Sequence, residues 1–409
     1  MNQTTPFAKS AAFEKGPMDG LTIVDLTQIY NGPYATFLAA MAGARVIKVE
    51  PLGGEHLRKR GARSGAALPF ALLNANKESV TLNLKSDQGR RILLQLVDRA
   101  DVIVENYSPG VMERLGLSPD TVRARNPRIV YASGSGYGKT GPYSAYPAMD
   151  LTVQAMSGVM SVTGTADGPP LKAGPAICDF FGGIHLYGAI ATALLGRERT
   201  GKGRVVEVSM LEAVYHSLSS SLGLMYGGNG SNTLRTGNRH GGMSLAPYNV
   251  YPTEDGHIAI ICNNDDHWTA LTRVMERPDL PRDPRFAAMS DRVANIDALD
   301  DLVGVWSMQH PKAALFERLI AARVPCAPIR TLEEVSADPH LFERGMLSQM
   351  HHPEFGAITM AHSPLRYPDT PMMPLRPSPR LGAHTDTILG TELGYDQDQI
   401  DSFRANGVT

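Results

Sequence analysis

Short apolar runs alternate with amphipathic stretches along the first third of the chain. Residues 21–26 (LTIVDL) and 45–50 (RVIKVE) have the character of buried strands, and a turn at 31–33 between them opens a helix that should end near Met41. A β-α-β unit of this kind has parallel strands and a right-handed crossover. The same rhythm then repeats, which predicts a doubly wound α/β domain. The repeat consists of strands at 80–84, 101–105 and 129–133 and helices at 87–99 and 121–124.

The pattern loosens between about residues 213 and 230 into a Ser- and Gly-rich stretch, SLSSSLGLMYGGNGSN, which predicts a hinge or linker. After it, residues 248–262 predict a β-hairpin that turns at Asp255 and Gly256. These elements indicate a smaller α+β domain over about 230–335. Its helices are expected near 266–276, 296–308 and 312–323.

The C-terminal part carries two further signals. The proline-rich residues 364–379 predict an extended segment that lies along the surface. Residues 384–393 predict a last helix.

Composition excludes several classes of function. The 409 residues are 43% hydrophobic and 20% charged, enough for two or three globular domains, and the net charge of -2 argues against nucleic-acid binding. The polar N-terminal segment lacks the apolar core of a signal peptide, and apolar runs of about ten residues are too short to span a membrane. We therefore expect a cytoplasmic protein that acts on small molecules, without a membrane or nucleic-acid partner.

The cysteines predict neither a disulfide framework nor a metal site. Cys178, Cys262 and Cys326 share no metal-ligand spacing and cannot all pair. This usage fits a reducing compartment.

A glycine motif after the strand at 129–133 is a weak indication of a dinucleotide site. Gly136, Gly138 and Gly141 fit G-x-G-x-x-G. Pro142 and Pro147, however, interrupt the helix whose N-terminus would have to bind the pyrophosphate. We therefore predict no nicotinamide or flavin cofactor.

Asp179 is the strongest catalytic candidate, an acid inside the apolar run at 174–195 (GPAICDFFGGIHLYGAIATALL). Gly182 and Gly183 allow close approach of backbone or ligand, and residues 184–195 predict a buried helix, which places the carboxylate at a helix N-terminus. The local pattern favours a helix cap. The alternative is a nucleophilic carboxylate that the helix dipole keeps ionised and the apolar flanks shield from water. The two roles are compatible.

Basic side chains collect in loops beside the predicted strands. Because the carboxyl ends of parallel strands share one edge of a sheet, these loops should converge where a polyphosphate would bind. Asn106 and Tyr107, directly after the strand at 101–105, add an amide and a ring that can stack on a purine. The combination suits a nucleotide-tailed substrate such as coenzyme A (CoA). The basic residues are Arg58, Lys59, Arg60, Arg63, Lys77, Lys85 and Arg114.

Four long motifs resemble those of the class III coenzyme A transferases, over about residues 20–405. In chain order they are GLTIVDLTQIYNGPYATFLAAMAGARVIKVEPLGGE, NANKESVTLNLKSDQGRRILLQLVDRADVIVENYSPGVMERLG, GPAICDFFGGIHLYGAIATALLGRERTGKGRVVEVSMLEAV and LGAHTDTILGTELGYDQDQI. The resemblance implies a large Rossmann-like domain built from both termini (1–225 and 336–409) and a small α+β domain between them (226–335). It also implies a homodimer of two interlocked chains.

The resemblance assigns a reaction to these domains. CoA would pass from an acyl-CoA donor to a carboxylic acid acceptor through Asp179, by way of an aspartyl anhydride and an aspartyl-CoA thioester. The N–H groups of Gly182 and Gly183 are expected to stabilise the oxyanion. Gly241 and Gly242, in RTGNRHGGMSLAP, resemble a glycine-rich loop that covers the aspartate; an ordinary flexible loop is the alternative.

CoA contacts are also implied by the resemblance. Pro51 and Pro147 stand where some members carry basic residues, so phosphate binding is expected to shift to the loop that holds Arg58 and Lys59. Tyr30 replaces a glutamine of formyl-CoA transferase, which argues against oxalate and formyl-CoA as substrates. The implied contacts are Asn106, Tyr107 and Arg114 around the adenine and phosphates, and Ile29, Tyr30 and Asn31 beside the thioester.

Two rival functions stay open at this point. An α-methylacyl-CoA racemase of the same fold needs a His and an Asp as bases, and this chain has Met149 at the histidine position, where a thioether cannot carry a proton. His185 lies in the predicted helix after Asp179 and is expected to be a buried core residue. Asp150 resembles an acid that assists the transferases, with a helix cap as the alternative. The second rival is a non-catalytic CoA-binding protein.

The identity of the acceptor acid is the part of the function that the sequence determines least. Several polar side chains beside Gly241 are placed to hold a second carboxylate, as in succinate, mesaconate or itaconate. They are Arg235, Asn238, Arg239 and His240. Succinyl-CoA or a similar dicarboxylyl-CoA is therefore the expected donor.

Overall fold

The computed structural model describes residues 16–59, 68–227 and 235–409. Its strands are β1 (Thr22–Asp25), β2 (Arg45–Glu50), β3 (Glu78–Thr81), β4 (Val102–Glu105), β5 (Val130–Ser135), β6 (Val205–Ser209), β7 (Tyr248–Thr253), β8 (Gly256–Ile261), β9 (Cys326–Pro328), β10 (Leu347–His352) and β11 (Gly356–Ala361).

Helices of at least three residues connect these strands. They are α1 (Asn31–Met41), α2 (His56–Lys59), α3 (Leu68–Leu73), α4 (Asp87–Val97), α5 (Val111–Arg114), α6 (Pro119–Arg125), α7 (Asp150–Met156), α8 (Val159–Val162), α9 (Ile177–Thr200), α10 (Met210–Tyr215), α11 (Ser219–Gly227), α12 (Asp265–Val274), α13 (Met289–Ala294), α14 (Ile296–Ser307), α15 (Lys312–Ala321), α16 (Leu332–Ser336), α17 (Pro339–Glu343), α18 (Thr385–Thr387) and α19 (Gln397–Ala405). Short 3₁₀ turns lie at His216–Leu218 and Leu280–Arg282, and a π-helix at Ile388–Glu392.

The chain divides into two compact units. The first comprises Met1–Val153, Pro175–Val214 and Asp338–Thr409, and the second comprises Gln154–Gly174 and Tyr215–Ala337.

A six-stranded parallel sheet forms the centre of the first unit. Its order is β3-β2-β1-β4-β5-β6, and Ile23 of β1 lies opposite Val46 of β2 and Val102 of β4. The strand order reverses between β1 and β4, so their carboxyl ends leave a crevice at which doubly wound proteins bind ligands. The predicted α/β fold is therefore confirmed in its mixed α/β character and its parallel sheet.

Helices cover both faces of this sheet. On one face, Ile92 and Leu96 of α4 pack with Ile400 of α19 against strand residues such as Val24 and Ile103. On the other, small residues of α1 and Leu186 and Ile190 of α9 pack against Val104 and Val130. Burial on both faces explains why β1, β2 and β4 are rich in Val and Ile.

The C-terminal segment of the chain returns to the edge of the sheet at β3. Arg45 of β2 pairs with Glu78 at 2.6 Å and with Glu392 at 2.5 Å. The proline-rich residues 364–379 contain no helix or strand and bond to Asn76 through the main chain of Pro374 and Arg376. This confirms the predicted extended segment.

The second unit has its own sheet and core. Strands β7, β8 and β9 form an antiparallel sheet in which β7 and β8 make the predicted hairpin. Trp268, Leu299 and Leu315, from helices α12, α14 and α15, pack on Ile258 of β8. Strands β10 and β11, which belong to the first unit, form a separate two-stranded antiparallel sheet.

Two sequence-based predictions about elements need correction. The Ser-rich stretch after residue 213 is helical as far as Gly227, and residues 228–234 lie outside the described residues. The segment predicted as the last helix, 384–393, is helical, with α18 followed by a π-helix, but it is not the last, because α19 comes after it. In addition, the sequence analysis did not predict strand β6.

Helix α9 is longer than the sequence pattern suggested. It begins seven residues before the predicted start at 184, and within the described ranges it is the helix that is long and apolar enough to cross a membrane by length and composition. Its buried side packs on α1 and the sheet, as a core helix does.

Candidate active site

A cavity of about 790 Å³ opens at the carboxyl ends of β1, β4 and β5. It lies beside the crevice between β1 and β4 where the strand order reverses, as expected for this architecture. It brings together predicted site residues from distant parts of the chain, and the sequence analysis missed others, His56 among them. The lining includes Ile29, Asn31, His56, Lys59, Asn106, Tyr107, Ser135, Tyr137, Met149 and Asp179.

Asp179 lies in the first turn of α9 and is 7% exposed. It is not the cap of this helix, because the N-cap residue is Ala176, which makes no side-chain hydrogen bond. The capping oxygen comes from Asp150, whose Oδ1 accepts the N–H groups of Cys178 at 2.9 Å and of Asp179 at 3.2 Å. The capping role predicted for Asp179 is therefore wrong, and Asp150 performs it from outside the helix.

Cys178 precedes Asp179 in the first turn of α9 and also carries a side chain that could act as a nucleophile. Its surroundings make its thiol unreactive. It is fully buried. Burial raises the pKa of its thiol to about 12, and the negative charges of Asp150 and Asp179 add to the shift. The thiol therefore stays protonated at neutral pH, and a protonated thiol is a poor nucleophile.

Gly182 and Gly183 serve packing rather than oxyanion binding. Both lie inside α9, where their N–H groups bond along the helix axis. A Cβ on Gly182 would lie 2.1 Å from Asn31 Nδ2, and one on Gly183 would lie 2.6 Å from the Asn31 carbonyl oxygen. The two glycines let α9 approach the start of α1, which contradicts the oxyanion role predicted for them.

The loop between β1 and α1 is held in a strained shape over the cavity. Ile29 has φ +65°, which a β-branched residue rarely adopts. Asn106 fixes the loop, since its Oδ1 accepts the Gln28 N–H at 2.8 Å and its Nδ2 donates to the Gln28 carbonyl at 2.9 Å. Glu55 accepts the Ile29 N–H at 3.3 Å. The Asn106 amide thus holds the loop and is not open to an adenine in this conformation.

Beneath this loop lies a fully buried ion pair. Lys77 Nζ donates to Asp25 Oδ2 at 3.0 Å, to Thr36 Oγ1 at 2.7 Å and to the Pro33 carbonyl at 3.1 Å. Burial alone would raise the pKa of Asp25, but Lys77, Lys48 and hydroxyl donors hold it well below its ordinary value. Burial lowers the pKa of Lys77 to about 8 against the attraction of Asp25. The pair ties β1 to the first turn of α1.

The basic residues predicted for CoA phosphates separate into two groups. Arg58 is bound to Glu50 at 2.8 Å and to the Pro379 carbonyl at 2.9 Å, and its guanidinium stacks on Phe70. Lys59, its neighbour, lines the cavity. Arg114 is not part of the cavity lining. Arg60 and Arg63 lie outside the described residues.

A second cavity of about 420 Å³ adjoins the first and shares Gln28, Tyr107 and Val111 with it. Its wall is mostly apolar, with Leu26 and Leu82 among the lining residues and Lys85 also present. Burial, and then the charge of Glu105, raise the pKa of the Tyr107 phenol well above its ordinary value. The two cavities together extend from Asp179 to the carboxyl ends of β2 and β3.

Gly241 and Gly242 belong to the second unit. Gly242 donates its N–H to His240 Nδ1 at 3.3 Å, and Met243 follows with φ +46°. Their proposed position over Asp179 stays a prediction.

The arginines suggested for a second substrate carboxylate are engaged within the second unit. Arg239 pairs with Asp297 and Asp300, both at 2.7 Å. Arg235 donates to the carbonyl oxygens of Thr165 at 3.1 Å and Gly168 at 2.9 Å.

Two residues that bear on proton transfer are placed by the structure. Met149 lines the cavity at the position where a racemase would need a base. His185 is exposed on α9, and its Nδ1 lies 2.8 Å from the Phe181 carbonyl oxygen. The prediction that it is a buried core histidine is wrong, and it does not line the cavity.

Similarity to known proteins identifies the family. The profile described as CoA-transferase family III matches residues 18–385. The chain belongs to the family III CoA-transferases. It is 40% identical over 369 residues to an acetyl-CoA:oxalate CoA-transferase of Acetobacter aceti, across 90% of this chain and 92% of that protein. It is 36% identical to a succinyl-CoA:mesaconate CoA-transferase of Haloarcula marismortui, across 93% and 97%.

A solved structure supports the same assignment. The crystal structure of a CAIB/BAIF family protein from Brucella suis matches with a TM-score of 0.81 and 33% identity, across 92% of this chain and all of that one. The protein is therefore a CoA-transferase enzyme, and CoA thioesters are its substrates.

Proposed function

We propose that Asp179 carries the acyl group in a transfer of CoA from an acyl-CoA to a carboxylic acid. The observation that supports this most is its position. Asp179 is a largely buried carboxylate in the first turn of a helix, and it lines the cavity at the carboxyl ends of the central strands. The helix N-terminus stabilises the ionised form that a nucleophile needs.

The proposed reaction balances in four steps. The Asp179 carboxylate attacks the thioester carbonyl of the donor, which forms an aspartyl anhydride and releases the CoA thiolate. The thiolate attacks the aspartyl carbonyl, forms an aspartyl-CoA thioester and releases the donor acid. The acceptor carboxylate attacks this thioester, and the released thiolate then attacks the acceptor carbonyl to give the new acyl-CoA and free Asp179. The burial of Asp179, which is 7% exposed, limits the access of water to the anhydride.

We propose that CoA occupies both cavities, with its nucleotide in the apolar cavity beside Tyr107 and its thioester near Asp179. Lys59 and Lys85 line these cavities and are placed to meet phosphates. Arg58 is not part of this proposal, because its guanidinium is bound to Glu50.

We propose a dicarboxylic acid as acceptor, with succinyl-CoA or a similar thioester as donor. The two relatives described above are named for oxalate and mesaconate, both dicarboxylic acids. The replacement at Tyr30 argues against oxalate here. A panel of oxalate, succinate, mesaconate, glutarate and the monocarboxylic acids acetate and butyrate, each with succinyl-CoA, tests this. Equal kcat/KM for mono- and dicarboxylic acids would refute the preference.

Chemical trapping tests the nucleophile. Hydroxylamine added during turnover should convert Asp179 to a hydroxamate that mass spectrometry finds on the tryptic peptide, because both acylated intermediates react with amines. The Asp179→Asn variant is the matched control and should show neither the modification nor CoA exchange. An unmodified peptide from wild-type enzyme that is turning over would exclude Asp179 as the acyl carrier.

A further inference from the structure

The Asn31 side chain fills a niche between α1, α9 and the end of β5. The residue is 4% exposed. A Cβ on Gly182 would lie 2.1 Å from its Nδ2, and a Cβ on Gly134 would lie 2.5 Å from its Oδ1. Neither position can carry a side chain while the amide is present. Two glycines from distant parts of the chain therefore make room for this one side chain.

The Asn31 amide is only partly paired in this niche. Nδ2 donates to the main-chain oxygen of Asp179 at 3.4 Å, whereas Oδ1 has no hydrogen-bond partner. The reversed amide would place Oδ1 against the Asp179 oxygen, so two acceptors would face each other. An unpaired buried acceptor costs about 1–3 kcal/mol, and a side chain retained for packing alone would not need to incur that cost. The contact with Asp179 explains why an amide is present.

Both main-chain groups of Asp179 are thus held by side chains. Asp150 accepts its N–H at 3.2 Å, and Asn31 donates to its carbonyl at 3.4 Å. In the proposed reaction the Asp179 carboxyl first attacks a carbonyl and is then itself attacked. Both steps need reacting atoms within about 3–3.5 Å of each other and correctly aligned, which a fixed main chain favours.

We infer that Asn31 is a positioning residue for Asp179, in addition to its place in the cavity wall. The inference rests on the proposed function, in which Asp179 carries the acyl group. It assigns to the Asn31 side chain a role in kcat that is separate from CoA binding.

The first test uses Asn31→Ala and Asn31→Asp. The aspartate keeps the shape of the side chain but has no N–H to donate. We expect both variants to lower kcat by about tenfold to a hundredfold, because misplacing a catalytic group by about 1 Å has effects of that size. kcat should fall by a larger factor than KM for succinyl-CoA rises, because the lost hydrogen bond is to the enzyme even though Asn31 also lines the cavity. Single-turnover rates of hydroxylamine trapping on Asp179 should fall in parallel with kcat.

The second test separates positioning from packing. Gly182→Ala alone should lower the Tm, because its methyl group collides with Asn31 Nδ2 and also approaches Met210 Cγ at 3.0 Å. In the Asn31→Ala background the collision with the amide is removed. The double variant should therefore have a higher Tm than Gly182→Ala while its kcat stays as low as that of Asn31→Ala.

Two results would overturn the inference. One is an Asn31→Ala or Asn31→Asp variant with unchanged kcat, whatever its Tm. The other is a double variant in which kcat recovers together with the Tm, because that would make packing the whole role of Asn31. Failure of the proposed function is distinguishable, since wild-type enzyme would then give no hydroxamate on Asp179 at all.

Discussion

Asp150 supplies to α9 the cap that Ala176 cannot supply. Its carboxylate accepts two main-chain N–H groups of the helix that carries Asp179. A charged cap of this kind stabilises the first turn of α9 and also fixes the direction in which the Asp179 side chain projects from the helix. The sequence left two roles for Asp150, assistance to the transfer and a helix cap. Its contacts with Cys178 and Asp179 show a cap, and the assisting role stays a prediction.

Replacement of Asp150 should therefore weaken the helix start. We expect Asp150→Ala to lower the free energy of unfolding by about 1 kcal/mol, as for other lost caps, and to lower kcat. Asp150→Asn keeps an acceptor oxygen and should lose less of both. Urea unfolding and steady-state kinetics measure the two effects, and equal stability of Asp150→Ala and wild type would contradict the capping role.

Arg58 and Lys59 are neighbours in sequence, but we expect Arg58 to stabilise the fold and Lys59 to bind acyl-CoA. Arg58→Gln leaves the buried Glu50 carboxylate without its partner and should cost about 3 kcal/mol of unfolding free energy, with a small effect on KM for acyl-CoA. Lys59→Gln should raise that KM with little effect on stability, because it removes a charge from the cavity wall. Urea unfolding and steady-state kinetics are measured for both variants, and each variant is the control for the other. The reverse pattern would restore Arg58 as the phosphate ligand.

The stability effect of Arg58 should depend on pH. Burial opposes ionisation of Glu50, but the Arg58 hydrogen bond and the charges of Lys48 and Arg58 hold its pKa below the ordinary 4.5. A carboxyl with a lowered pKa contributes stability above its unfolded pKa and loses it as the pH falls. The stability difference between wild type and Arg58→Gln should thus shrink below about pH 4.5. A difference that is constant from pH 6 to pH 3.5 would exclude this explanation.

At the scale of elements, α9 has two different faces. One packs on α1 and the sheet, and the other exposes Phe181, Ile184 and Leu195, the last to 60%. Exposed apolar residues along one helix face are typical of a surface that another chain covers. We propose that this face contributes to the homodimer that the family resemblance implies.

Substitution on this face tests the proposal. Ile184→Glu and Leu195→Glu should shift the protein from dimer to monomer, because each would bury an unpaired charge in the interface. Glu198→Gln, on an exposed polar position of the same helix, is the control and should stay dimeric. Sedimentation velocity gives the masses, and a wild-type monomer at micromolar concentration would refute the interface.

Strands β1 to β5 of the parallel sheet were predictable because each has a short run of apolar or β-branched residues that turn residues follow, whereas β6 was missed. The start of α9 was not predictable, since Gly182 and Gly183 favour a break in the sequence pattern. In the structure they lie inside the helix, where a side chain on either would collide with Asn31. The role of Asn106 was also hidden. Its side chain bonds to a residue 78 positions away, and local pattern contains no information about such a contact.

At the scale of the molecule, the first unit is assembled from three separate segments. Its last segment buries Ile388, Leu389, Ile400 and Val408 in the core on one face of the sheet. Removal of residues 381–409 should therefore expose that core, and we expect the shortened chain to be insoluble or to lack a cooperative thermal transition. The full-length chain, expressed and heated in parallel, is the control. A soluble, cooperatively folding product of the first truncation would contradict the contribution of this segment.

The pairing of Arg45 with Glu392 has a consequence for synthesis. Arg45 leaves the ribosome 347 residues before its partner, and the core beside β3 stays incomplete until Ile388, Ile400 and Val408 have been synthesised. Until α19 has been synthesised, the apolar face of the sheet that it covers is exposed, and an exposed apolar face promotes aggregation. We expect the yield of soluble enzyme to depend on chaperones and expression temperature more than the stability of the finished protein would suggest.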